Sequence, residues 1–101
     1  MDIRAITIGP YCREPYTTDS LMNISGMSYG ALSIPAIRAL ARGAKMAKCW
    51  MNTGEGGLSD YHLKGDVDII FQIGPGLFGV RTEDGAFSLE QFKQKSELTQ
   101  I

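Results

Sequence analysis

This sequence has no long apolar run. Its uninterrupted apolar stretches last only a few residues, so nothing in it suggests a bilayer span. It has no excess of either charge. Ten Lys and Arg stand against eleven Asp and Glu, a net charge of −1. A phosphate backbone would find no basic surface, and no nucleic-acid partner is expected. Cysteine is scarce: Cys12 and Cys49 are the only two. They are too few for a disulfide framework or a four-thiolate metal site. The opening Met-Asp-Ile-Arg lacks the charged and apolar regions of a signal peptide. A cytoplasmic chain with reduced thiols is therefore the expectation. Histidine is limited to His62 and tryptophan to Trp50. There is no internal repeat and no low-complexity tract. The 101 residues leave room for one small domain. Such a chain buries about 65% of its unfolded surface, so its core is modest.

What the chain has is punctuation, in twelve glycines and four prolines. Residues 3–8 alternate as a short strand that Gly9-Pro10 ends. Residues 10–20, with two prolines, read as an irregular approach segment. Residues 21–27 read as a strand entering a Gly-rich turn. The clearest element is a helix capped by Ser33, with Pro35 in its first turn. Ile37, Leu40, Ala41 and Ala44 lie on one face at helical spacing. Gly43, inside it, costs about 1 kcal/mol relative to alanine. Residues 49–52 read as a second strand and 53–57 as a tight turn. Residues 58–65 hold a helical turn. Residues 67–73 are almost continuously apolar, as in a strand buried on both faces of a parallel sheet. A last helix is expected over 87–101. Ser88 and Gln91 form its capping box, and Phe87 and Phe92 its hydrophobic staple. Its apolar face fades past Phe92.

The alternation of strands and helices argues for an α/β architecture with parallel strands and right-handed crossovers. In such folds chemistry gathers at the C-terminal ends of strands. Three such ends are rich in glycine and polar residues: Ser25-Gly26-Met27-Ser28, Asn52-Thr53-Gly54-Glu55 and Gln72-Ile73-Gly74.

Several candidate motifs weaken on inspection. Gly74-Pro75-Gly76-Leu77-Phe78-Gly79 spells G-x-G-x-x-G after a strand, but no helix opens there, as a dinucleotide fingerprint requires. Thr53-Gly54-Glu55-Gly56-Gly57 offers a nest of N–H groups for an anion, or simply a flexible bend. It lacks the Lys-Ser or Lys-Thr of a phosphate loop. Ser59, Asp60 and His62 are neighbours, yet sequence neighbours rarely take triad geometry, and His62 reads as a loop residue with a structural hydrogen bond. Cys49 reads as core and Cys12 as surface. Asn52 and Gln72 are more distinctive, because each ends an apolar strand with a carboxamide that needs partners. They suit a heteroaromatic ring with alternating N–H and C=O groups, such as a flavin, or are simply two satisfied strand-end amides.

Asn23-Ile24-Ser25-Gly26-Met27-Ser28-Tyr29-Gly30-Ala31-Leu32-Ser33 resembles the opening of the FMN-binding synthase domain of the glutamate synthases. So do Arg42-Gly43-Ala44-Lys45, Asn52-Thr53-Gly54-Glu55-Gly56-Gly57, Tyr61-His62, and Gln72-Ile73-Gly74 with Phe78-Gly79. The similarity covers nearly the whole chain and looks closest to the stand-alone glutamate synthase-like flavoproteins. It implies a (β/α)8 barrel with FMN at the strand C-termini. Ser25, Gly26, Met27 and Ser28 would line the flavin from the first strand, Asn52 and Thr53 from the second, and Gln72 from the third. Glu55 would order the neighbouring loop. The implied oxidoreductase chemistry, in amino-acid biosynthesis, is reduction of 2-iminoglutarate to glutamate.

A full barrel needs about 250 residues. The expectation is therefore a partial (β/α)8 TIM-barrel fragment of about three parallel strands and two helices plus a short N-terminal strand. Residues 1–20 would be its approach segment and 21–101 its first three strands. The family's Lys-Leu-Ser-Gln-Gly-Ala-Lys-Pro-Gly strand is missing, as are the phosphate-holding loops of later strands and a glutaminase domain. The cysteines that ligate an iron–sulfur cluster in the large enzymes are also missing, so no cluster is expected. A truncated domain of this kind should bind FMN weakly or not at all and be inactive alone. It should self-associate or await the rest of the barrel. The alternative is a non-catalytic, self-associating fragment without cofactor.

Overall fold

The computed structural model describes residues 5–101. It opens on a hairpin in which β1 (Ile6–Ile8) pairs antiparallel with β2 (Tyr16–Thr18). Residues 3 and 4 of the expected first strand lie outside the described residues. The expected irregular segment 10–20 is corrected, since it contains β2. Gly9 turns the chain at φ 63°, and the Cys12 N–H donates to the Gly9 carbonyl at 2.9 Å. Thr7 and Thr17 then face each other with hydroxyls 3.0 Å apart, a cross-strand pair that favours the ladder. Pro10 and Pro15 fall outside the paired residues and so remove no ladder bond.

The hairpin is tied to the rest of the chain by Tyr16, whose hydroxyl donates to Asp68 Oδ2 at 2.8 Å. Burial, with the Asp68 carboxylate beside it, pushes the phenol up from 10.0 to about 12. A raised folded-state value means the fold favours the protonated phenol. This stabilisation is complete below pH 10 and drains away as pH rises through about 12. Tyr16→Phe should abolish that loss. Urea midpoints measured on either side of the window, for wild type and variant, check it.

Helix α1 (Ile34–Ala47) begins where expected. Ser33 Oγ accepts the Ala36 N–H at 3.3 Å. Ile37, Ala41 and Ala44 are fully buried. The helix ends at Lys48, which adopts a left-handed conformation at φ 59°. A Cβ built on Gly43 meets nothing within 4 Å. Gly43→Ala should therefore stabilise the protein by about 1 kcal/mol, read as a raised thermal midpoint.

Three parallel segments follow chain order across a small sheet. Ile24 bridges Met51 of β3 (Met51–Asn52), and β3 pairs with β4 (Ile69–Ile70). The expected parallel arrangement is present with shorter pairing. Residues 21–27 reduce to one bridge, and 49–52 and 67–73 to two residues each. Beyond them the backbone turns to side-chain partners, as where the Gln72 N–H donates to Thr53 Oγ1 at 3.1 Å. Ile24, Met51 and Ile69 lie level and pack with Ile37, Ala41, Ala44 and Val67 as the core. Strand alternation turns Asn52 and Ile70 the other way. Both are only half buried, so the third strand is not buried on both faces as expected.

The last helical turns differ in extent from the expectation. α2 (Asp60–Leu63) is one turn, and α3 (Leu89–Ser96) stops well before residue 101. Ser88 Oγ caps α3 by accepting the Gln91 N–H at 3.2 Å. The Ser88 N–H goes to the Val80 carbonyl at 2.6 Å, so only half of the capping box forms. The Phe87–Phe92 staple is present, with ring centroids 5.9 Å apart. Past α3 the chain returns to the sheet. The Ile69 N–H donates to the Gln100 carbonyl at 2.6 Å, and Ile101 packs on the core. Among the described residues no helix is long and apolar enough to cross a membrane.

Candidate functional site

The C-terminal ends of the three parallel segments crowd together, and glycine makes the crowding possible. A Cβ on Gly26 would lie 3.1 Å from Gly54 Cα, 3.3 Å from Gln72 Oε1 and 3.5 Å from Asn52 Oδ1. Both strand-end carboxamides thus border one cradle. Asn52 Oδ1 accepts the Gly54 N–H at 2.8 Å, which orients the amide and leaves its NH2 as donor. Among the described residues the Gln72 carboxamide has no hydrogen-bond partner, and it is half buried.

The other expected site residues occupy different positions. Thr53 is fully buried. Its N–H donates to the Ile70 carbonyl at 3.1 Å, and its hydroxyl donates to the Gly54 carbonyl at 3.2 Å while accepting the Gln72 N–H. Thr53 therefore stitches the second segment to the third. Ser25 and Gly26 are exposed, and Met27 and Ser28 half buried. Ser28 lies against the second loop, where a Cβ on Gly54 would come within 2.8 Å of its nitrogen. Glu55 is exposed, and its Cβ is 2.7 Å from the place a Gly74 Cβ would take. Beside these ends lies an open hollow of about 560 Å³ whose walls include Ser28, Tyr29, Glu55, Gly56, Pro75 and Phe78. Gly26, Asn52 and Gln72 are not among its walls.

His62 is part of α2 rather than a loop, and it is fully buried. Its Nδ1 accepts the Ser59 N–H at 3.1 Å and sits 2.8 Å from Ser59 Oγ, while Nε2 lies 2.7 Å from the Met27 carbonyl oxygen. In the Nε2–H tautomer Nε2 donates to Met27 and Nδ1 keeps one lone pair for the Ser59 N–H. The Ser59–His62 distance is that of a nucleophile and base. However, Ser59 Oγ also accepts the His62 N–H as helix cap, and Nδ1 is already taken by a backbone donor. The pair is a capping box, and Asp60 completes no triad with it in these contacts. Sequence reading missed the Met27 contact. The Ser59-x-x-His62 spacing signals only the cap, and no local pattern signals the Met27 carbonyl.

The G-x-G-x-x-G run forms two successive turns. Leu77 N–H donates to the Gly74 carbonyl at 2.9 Å and Val80 N–H to the Leu77 carbonyl at 3.0 Å. No helix opens there, as the sequence anticipated. Cys12 is exposed, Cys49 is half buried, and both are free thiols.

Residues 4–98 match the family model described as the conserved region in glutamate synthase. The chain is 57% identical over 91 residues to the glutamate synthase large subunit-like protein YerD of Bacillus subtilis, covering 89% of this chain and 17% of that protein. It is 34% identical over 74 residues to a glutamate synthase large subunit-like protein of Rhizobium meliloti, covering 73% and 17%. An archaeal glutamate synthase [NADPH] of Methanocaldococcus jannaschii is 42% identical over 65 residues, covering 64% and 13%. The chain thus spans less than a fifth of the length of these curated relatives. No solved structure matches it.

Proposed function

The chain belongs to the glutamate synthase family, and on that premise we propose that residues 21–101 form the first part of a flavin site at the open end of a (β/α)8 barrel. The observation that carries this reading is the Gly26 cradle. The flavin's pyrimidine edge alternates C=O and N–H groups, and the Asn52 and Gln72 carboxamides offer both donors and acceptors beside it. The absence of a side chain at Gly26 lets the two carboxamides close in on the first strand end, side by side at the rim where the ring would sit. Ser25, Met27 and Ser28 extend that wall, Thr53 braces Asn52 against Gln72, and Glu55 orders the second loop. When bound, the flavin supplies the two-electron reduction of 2-iminoglutarate to glutamate, in a site completed by further strands. The chain's own residues bind and orient the ring.

This part of the barrel lacks the phosphate-anchoring loops that follow the seventh and eighth strands. The 101-residue chain alone should therefore hold FMN weakly and be inactive. In a nuclear magnetic resonance titration, FMN should shift the Gly26 and Gly54 amides and the Asn52 and Gln72 side-chain amides. Gly26→Ala, which overfills the cradle, should weaken the response about tenfold with the fold intact. Absence of any shift at these groups, at millimolar FMN, would overturn the reading.

A second reading is favoured by the unfinished sheet: a non-catalytic fragment that self-associates without cofactor. Exposed Ile6, Ile8, Phe87 and Leu89 and the thinly covered outer edge of β4 suit burial against another copy. Sedimentation over a concentration series tests it. A folded monomer at high micromolar concentration sinks it.

A further inference from the structure

We propose that His62 is a positioning residue for the strand-end site: its Nε2–H holds the Met27 carbonyl and so sets the Gly26–Ser28 turn against Asn52 and Gln72. The flavin reading supplies only the identity of the ligand. His62 has no solvent exposure, so it acts through the turn and not on a bound molecule.

The Met27 backbone is gripped on both sides of its Cα. Its N–H donates to the Asn52 carbonyl at 3.1 Å, and its carbonyl accepts from His62 Nε2 at 2.7 Å. The first grip joins the turn to the second strand, and the second joins it to α2. Between them Gly26 is left one place beside the two carboxamides. The helix carrying His62 is a single turn, too short to form without outside contacts. A capping box normally puts Glu or Gln at this position. Those side chains can serve the cap or a distant partner, but not both at once. An imidazole has a second nitrogen on its far side, and here that nitrogen crosses to a segment distant in sequence. The residue type is explained by the pair of contacts together.

Two variants separate positioning from simple burial. His62→Asn retains an oxygen for the Ser59 N–H but is too short to reach Met27. His62→Gln can place its NH2 at the Met27 carbonyl while giving up the Nδ1 cap. Amide hydrogen exchange by nuclear magnetic resonance on the 101-residue chain should show the Met27 amide exchanging about tenfold faster in His62→Asn, the worth of one hydrogen bond. The Ala41 and Ala44 amides of α1 should be unchanged, and His62→Gln should keep Met27 near wild type. The FMN response at Gly26 should weaken in parallel in the Asn variant and recover in the Gln variant. The proposal is overturned if Met27 exchange is unchanged in His62→Asn, or if Met27 and α1 lose protection together in both variants. A wild-type chain that ignores FMN defeats the flavin reading, and the exchange comparison still decides the role of His62.

Discussion

Gly54→Ala should cost about 3 kcal/mol or more, enough to unfold much of a domain this small. Two independent penalties meet there. Gly54 sits at φ 71°, in the left-handed region. Its missing Cβ would also lie 2.8 Å from Ser28 N and 3.0 Å from Ser28 Cα, and those are backbone atoms without a rotamer to yield. Gly85 has the same sign of φ, 87°, with nothing within 4 Å of a built Cβ. Gly85→Ala therefore isolates the backbone cost, about 1 kcal/mol. Urea unfolding followed by fluorescence of Trp50, the sole tryptophan, gives both values. Equal losses in the two variants would remove the close-approach argument for the first and second loops.

Met51→Ala should lose about 3 kcal/mol as well, for a different reason. Met51 is fully buried in the middle strand, level with Ile24 on one side and Ile69 on the other. On the opposite face of the sheet Asn52 and Ile70 are only half buried. Truncation leaves a cavity where all three parallel segments meet α1, and the surroundings can collapse into it only by giving up register. Met51→Leu keeps the volume and should cost less than about 1.5 kcal/mol. A loss below that figure for the alanine variant would mean that the core lies elsewhere.

The features readable from sequence are those whose causes are local. Ser33 and Ser88 announce their helices because a cap bonds three residues ahead. Ile37, Ala41 and Ala44 repeat at the period of the surface they cover. Asn52 and Gln72 could be singled out because a carboxamide at the end of an apolar strand needs a partner. Their meeting across Gly26 needed only the parallel order of the strands. Features set by distant partners were not readable. β2 exists because Thr17 finds Thr7, and a stretch with two prolines conceals it. His62 looked like a loop residue because its deciding contact, the Met27 carbonyl, is far away in sequence. Strand lengths were overestimated because apolar runs continue past the point where neighbouring backbones part. The open space around Gly43 has no local signature.

The bond between Tyr16 and Asp68 has a consequence for the order of assembly. Every pairing in the parallel sheet joins a segment to the next one along the chain, across one helix-bearing connection. The sheet can therefore be laid down in sequence, each strand templated by the one before, with little loop entropy at any step. The hairpin departs from that pattern. Its anchor is a carboxylate at the start of β4, on the far side of both earlier connections. β1 and β2 precede every other described element in the chain, yet the Tyr16 bond cannot form until Asp68 is in place. The earliest described element is thus held by a residue that enters the chain late.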